Sequence, residues 1–146
     1  MFTRKSSAIV CLMLAAILLV GCTASKGSVK VRQGNGLPKT VELTSLPTEP
    51  VQGVTLDADG NTVEVDTNGI LISSVLNAGG IDASWIGEVS VGNRDKNTAE
   101  VTGSMLNMAN KAYLTPQEDG SWDLVVLGEE DGYILKDVVS LHAQNI

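Results

Sequence analysis

The feature that most constrains this chain lies at its start. An unbroken apolar run from Ala8 to Val20 follows a short basic opening, Arg4 and Lys5. A basic start, an apolar stretch of about 7–15 residues and a small-residue cut site make a secretory signal peptide. The run is shorter than the roughly 20 residues a helix needs to cross a bilayer. A buried core helix has no reason to sit behind two basic residues at an N-terminus, so the rival reading is an uncleaved signal anchor. Under the signal-peptide reading, residues 1–21 are removed and take no part in the fold.

The end of the run separates the two readings. Leu19-Val20-Gly21-Cys22 resembles the lipobox of bacterial lipoproteins: a branched apolar residue, a small or apolar one, Gly or Ala, then Cys. The resemblance implies that the Cys22 thiol takes a diacylglycerol by a thioether bond. The peptide is then cut between Gly21 and Cys22, and the new α-amine is acylated. The cysteine count fits. Of the two Cys in the chain, Cys11 lies in the segment to be removed. Cys22 is then left without a disulfide partner, and an exported lone Cys is otherwise a puzzle. Each buried methylene adds about 0.8 kcal/mol of membrane affinity, so two or three acyl chains anchor essentially permanently. Thr23 follows Cys22, where lipoproteins of the enteric type carry Asp for inner-membrane retention. The implied location is therefore the outer membrane, with the domain facing the periplasm.

Loss of Arg4 and Lys5 takes the formal charge from −7 to −9. That charge is unevenly spread. Residues 23–40 hold Lys26, Lys30, Arg32 and Lys39 and no acid, whereas all 17 acidic residues lie from Val41 onward. Gly27, Gly34, Gly36 and Pro38 read as linker, so residues 22–40 are expected to be a basic flexible tether spanning about 20–25 Å. Its basic residues either lie against anionic head groups or are simply solvated. The acidic remainder excludes nucleic acid, which needs a basic face.

Residues 41–146 are the right size for one small domain. Two Trp, two Tyr and one Phe leave Val, Leu and Ile to fill the core. Val41 to Leu46 is strand-like. Val51 to Leu56 and Asn61 to Thr67 form a hairpin about Asp57-Ala58-Asp59-Gly60, with Val63 and Val65 alternating against polar residues. Asn68-Gly69 punctuates. Ile70 to Ala78 reads as a short helix or buried segment stopped by Gly79-Gly80. Trp85 to Val91 is a strand, and Thr98 to Leu114 carries Val101, Met105, Met108 and Ala112 at helical spacing. Trp122 to Leu127 and Tyr133 to Leu141 close as a hairpin across Gly128 to Gly132, whose Glu129-Glu130-Asp131 reads as a solvated turn. The expected class is a strand-dominated α+β single domain.

Catalytic chemistry is sparse. His142 is the single His, and Ser140 shares its strand face, but no nucleophile-elbow motif accompanies them. Met105 and Met108 read as core, without Cys or His to complete a soft metal site. Asp57, Asp59 and Asn61 open like a calcium loop, yet Thr62 and Asn68 stand where the EF-hand needs Gly and Glu; only a looser calcium site using Asp66 is left. No cofactor, metal or catalytic residue is expected. Trp85 and Trp122 are either core or exposed for stacking.

One further resemblance covers about two thirds of the domain. Val51-Gln52-Gly53-Val54, the hairpin ending in Gly60, and Ser73-Ser74-Val75-Leu76-Asn77-Ala78-Gly79-Gly80 are followed by Val89-Ser90-Val91 and Arg94. This resembles the SLBB type of β-grasp domain in polysaccharide export lipoproteins, with Leu135 to Val139 as the closing strand. The resemblance implies a β-grasp fold and an accessory role in export. It departs at Asp59, where the family has Pro, and in lacking the preceding export domain, so a translocation channel is not expected. The leading expectation is a non-enzymatic outer-membrane lipoprotein that binds or helps assemble another envelope protein. The alternatives are an SLBB-like export accessory and, last, a small hydrolase or metal-dependent enzyme.

The anchor reading has a direct consequence. Cys22→Ser is expected to leave a precursor that is not cut at this site and does not fractionate with outer-membrane lipid. Normal processing of that variant, seen on immunoblots of membrane fractions, would refute it.

Overall fold

The structure is a computed structural model that describes residues 26–107 and 111–145. Cys22, Gly21 and the signal segment lie outside the described residues, as does Met108. In chain order, β1 (Ser28–Gln33) and β2 (Lys39–Glu42) lead through a 3₁₀ turn (Leu43–Ser45) to β3 (Glu49–Leu56) and β4 (Thr62–Leu71). Helix α1 (Ile72–Ala78) and a second 3₁₀ turn (Ala83–Trp85) precede β5 (Ile86–Asn93), β6 (Thr98–Thr102) and the short helix α2 (Gly103–Asn107). The chain ends with β7 (Ala112–Pro116), β8 (Trp122–Val126), β9 (Tyr133–Leu135) and β10 (Val138–Asn145). The fold is the strand-dominated α+β class.

The strands form two five-stranded sheets, ordered β2-β1-β10-β5-β6 and β3-β4-β7-β8-β9. In the first, β1 and β10 run parallel at the centre, with Val31 opposite Leu141, and every other pairing is antiparallel. A leading hairpin, a helix, and a last strand set parallel beside the first make a β-grasp order. Val29, Val31, Val89, Val91, Val101, Leu141 and Ala143 point inward from this sheet and are buried. They join Ile72, Val75 and Leu76 of α1, and Ala112, Leu114, Leu124 and Val126 of the second sheet, in one apolar core.

The residues expected to form a flexible tether are, from Ser28 on, part of this sheet. Val29 and Val31 are each 1% exposed. Of the residues that suggested a linker, Gly34, Gly36 and Pro38 sit in the β1–β2 turn, where Gly34 takes a φ of 54°, and Gly27 precedes β1 at a φ of 91°. The alternation Val29, Val31 between Lys30 and Arg32 is a half-buried strand masked by its charged neighbours.

The helix expected over Thr98 to Leu114 is instead β6, the single turn α2 and β7. Thr98 to Thr102 pairs with β5, Val89 opposite Val101. At Gly103 a Cβ would sit 2.7 Å from the Ile86 carbonyl, so the backbone packs too closely there for any other residue. The expected closing hairpin also divides. Tyr133–Leu135 pairs with β8, but Val138–Asn145 crosses to the centre of the first sheet. The Asp57–Gly60 turn forms as expected, with Gly60 at φ 82° and the Asp57 carboxylate accepting the Asp59 and Asn61 amides. Asn68-Gly69 is no break: β4 runs through it, exchanging β3 for β7 as partner. The close approach at Gly69, where a Cβ would lie 2.9 Å from the Leu114 carbonyl, explains the glycine. Gly79 ends α1, and Gly80 supplies the left-handed residue at φ 82°.

The buried β1 makes an early truncation damaging. A chain starting at Thr40 is expected to lose cooperative unfolding. Val31→Ala in the full domain should cost about 2 kcal/mol, the scale of a buried apolar truncation. Denaturant titration checks both, and unchanged cooperativity in the truncation would return β1 to the status of a tether.

Candidate functional site

The second sheet curls until its first strand nears its last. Thr55 Oγ1 donates to the Val126 carbonyl at 2.7 Å, and the Gly128 amide donates to the Val54 carbonyl at 2.7 Å. Leu127 packs over Gly53, where a Cβ would meet it at 3.3 Å. The β3–β4 hairpin thus folds over the face of β7, β8 and β9 that points away from the main core. Register places Val51, Thr55, Val63, Val65 and Thr67 on the inner side of the hairpin. Tyr113, Thr115, Asp123, Val125 and Ile134 oppose them. Val51 and Thr55 are fully packed, but Val63, Val65 and Ile134 are only half-buried. The result is a groove with an apolar floor and a polar head formed by Gln117, Asp123 and Lys136.

The head is built around Asp123, a carboxylate 9% exposed. Thr115 Oγ1 donates to the Asp123 carbonyl at 3.4 Å, and the Gln117 amide donates to Thr115 Oγ1 at 3.3 Å. Asp123 Oδ1 accepts the Asp137 backbone N–H at 3.0 Å. Asp137 carries a φ of 59°, a left-handed conformation that Asp tolerates better than most residues. Arg94 fixes it from the far side: its Nε donates to Asp137 Oδ2 at 2.8 Å and its backbone N–H to the Asp137 carbonyl at 3.0 Å. Burial pushes the Asp123 carboxyl up from its ordinary value. The Asp137 amide and the Lys136 charge pull the other way without cancelling that effect, and the charges of Asp119 and Asp137 add to it. A perturbed carboxylate in a cleft makes that cleft a candidate functional site.

A hollow outside the head is lined by Glu118, Asp119, Ser121 and Asp137 as well. Asp119 accepts the Ser121 amide and hydroxyl, which holds its carboxyl below the usual value. Its other oxygen faces Lys26 Nζ at 3.6 Å.

His142 lies elsewhere, on the outer face of the first sheet. Its Nδ1 accepts from Arg32 at 3.3 Å, and its Nε2–H donates to the Gly34 carbonyl at 2.8 Å. Ser140 shares that face, but its hydroxyl lies over Gly92, where a Cβ would come within 2.6 Å of Oγ. The two ring nitrogens are engaged with β1 and its turn, not with Ser140. On the same face Glu100 has its carboxyl raised, first by burial and then by Glu88 beside it.

Asp57 and Asp66 do not converge. Asp57 is spent on turn amides, and Asp66 Oδ1 accepts from Gln52 along the hairpin. Among the described residues no cluster of three or more His, Cys, Asp or Glu side chains is placed to hold a metal. Met105 packs against the core. Trp122 is core at 6% exposure, while Trp85 stands 68% exposed at the start of β5. Asp123 and the groove escaped the sequence reading. The one available signal was a charged residue inside the apolar run Trp122 to Val126, which as a strand must either face water or be buried at a cost.

No protein-family model matches the chain, and no curated protein matches it.

The raised Asp123 carboxyl has a pH signature. Below the ordinary value of 3.8, the folded and unfolded chains both hold the proton and the group contributes nothing. As pH rises above it, the unfolded chain ionises first, so this group lowers stability until the folded value is also passed. Asp123→Asn keeps an acceptor for the Asp137 amide and cannot ionise. Its stability relative to the parent should therefore increase between about pH 3 and about pH 7. Denaturant midpoints across that range test this, and a constant difference would show that burial does not govern the group.

Proposed function

We propose that the chain is a membrane-tethered, non-catalytic binding module of the bacterial envelope. Cys22 holds it by lipid to the outer membrane, facing the periplasm, and the groove of the second sheet receives part of another envelope component. One observation carries this reading: the groove floor of Val63, Val65 and Ile134 stays half-exposed and runs to a buried carboxylate. An apolar concavity with few fixed polar groups is the common form of a binding site.

A photo-crosslinking residue at Ile134 tests it in cells. The expected outcome is a covalent adduct with a protein of the envelope, lost with Val65→Glu and retained with His142→Ala. His142→Ala is expected to cost about 1 kcal/mol of stability, as ordinary substitutions do, and to leave the cellular phenotype intact. A folded but inactive His142→Ala would favour a hydrolase and overturn the ranking.

A second reading, an SLBB-like accessory of polysaccharide export, draws on chain order alone. The β3–β4 hairpin, the helix α1 ending at Gly79-Gly80, and the strand β5 follow one another as in that resemblance, but the hairpin belongs to the second sheet and β5 to the first. Adducts with exported polysaccharide or its transport proteins would select it over the first.

A further inference from the structure

We propose that the β1–β2 hairpin is a second membrane contact, and that its occupant is the surface of an anionic phospholipid bilayer. The inference rests on the reading of Cys22 as the lipid-bearing residue. The described fold begins at Lys26, and the four links from Cys22 to Lys26 reach at most about 14 Å. Lys26 leads directly into β1, so the leash holds the start of that strand close to the bilayer.

Two surfaces are within reach of it. One is the end of the first sheet where β1 begins, beside the β5–β6 turn and Asp137. That end carries Lys26, Arg94, Lys96 and Lys136, but Asp95, Glu118, Asp119, Asp123 and Asp137 stand among them, with Lys26 and Arg94 already facing Asp119 and Asp137, so it offers an anionic surface no net attraction. The other is the free edge of the sheet, β2, with β1 behind it. From Ser28 to Glu42 the one carboxylate is Glu42, against Lys30, Arg32 and Lys39.

The register decides how those cations are presented. Val29 and Val31 point into the core, so Lys30 and Arg32 project from the outer face. Lys39 pairs opposite Val31 and projects from the other side, with Nζ beside Gly80. Cations on both sides of an edge strand can meet a plane that runs along that edge. Leu37, in the turn, is 91% exposed. It lies at the far end of a six-residue strand, about 20 Å from the leash. An apolar side chain at the tip of a cationic edge matches the chemistry of a membrane interface. With the leash at one end and Leu37 at the other, the edge lies along the bilayer and the groove-bearing sheet stays off it. The contact also covers the unpaired backbone of β2, which would otherwise be open to pairing with other chains.

Each basic residue near an anionic surface strengthens association about fivefold. Three of them are weak alone but sufficient to orient a domain that is already anchored. The chain from Cys22 onward contains every described strand and helix, and Cys22 is its one thiol. It can therefore be coupled through Cys22 to a maleimide lipid, in vesicles with phosphatidylglycerol or of phosphatidylcholine alone. Acetylation of each lysine is then followed by mass spectrometry. Lys30 and Lys39 should react about fivefold or more slowly on the anionic vesicles, with Lys111 and Lys136 unchanged. The protection should vanish near 1 M salt, where screening acts within about 3 Å, and should fall in Leu37→Glu. Equal rates for Lys30 and Lys39 on both vesicles, or protection of Lys96 in their place, would overturn the proposal. Because the coupling is chemical, that failure leaves the lipidation of Cys22 untouched, which stands or falls with the processing of Cys22→Ser.

Discussion

The parallel pairing of β1 with β10 is the contact on which the rest of this structure depends. It joins positions more than a hundred residues apart, Arg32 lying opposite His142. Its inward side chains, Val29, Val31, Leu141 and Ala143, form the middle of the core, with α1 and the second sheet closing over them. Without β1, β10 would lose a neighbour at the centre of the sheet, and its backbone groups would be buried without partners, an expensive state. The same pairing sets the environment of His142. The imidazole sits against β1 and its turn because the register leaves Arg32 and the Gly34 carbonyl beside it.

The second sheet solves a different packing problem. One face of β7, β8 and β9 packs on the main core through Leu114, Leu124 and Val126, and the other would be left in water. The sheet curls, so that its own β3–β4 hairpin covers that second face. Val51, Thr55, Tyr113 and Val125 fill the inner part well. Toward the open end, Val63, Val65 and Ile134 do not meet closely, and the groove is the space they leave. Asp123 terminates it because it stands at the start of β8, where the strand leaves the polar β7–β8 turn and meets the Asp137 turn that precedes β10. The carboxylate is tied to the fold through the Asp137 amide, and through Asp137 to Arg94 on the first sheet. The groove head is therefore coupled mechanically to the junction between the two sheets.

Charge follows the same division. The acidic residues are spread from Glu42 to Asp137, while Lys30, Arg32 and Lys39 gather on one edge hairpin. In an acidic domain this gives the molecule an electrical polarity, and a lipid at Cys22 would place its positive edge nearest the membrane.

The Asp57–Gly60 hairpin, the helix before Gly79-Gly80 and the strand-dominated class were legible in the sequence, because each depends on local pattern: a residue that tolerates positive φ, a glycine stop, a period of two. The β1 strand was not legible. Its alternation spans only two apolar residues, and what makes it a strand is β10, at the other end of the chain. The segment Thr98 to Leu114 shows the converse. Its apolar residues recur at helical spacing, yet Thr98 to Thr102 is a strand because β5 offers an open edge and Gly103 lets the backbone pass close to Ile86. The groove belongs wholly to the tertiary structure. Val65, Ile134 and Asp123 are unremarkable in sequence and share one concavity only because β4, β8 and β9 are bent around it. Local sequence determined the turns through chain sterics, and long-range strand pairing decided which residues are core, which face water and where the groove lies.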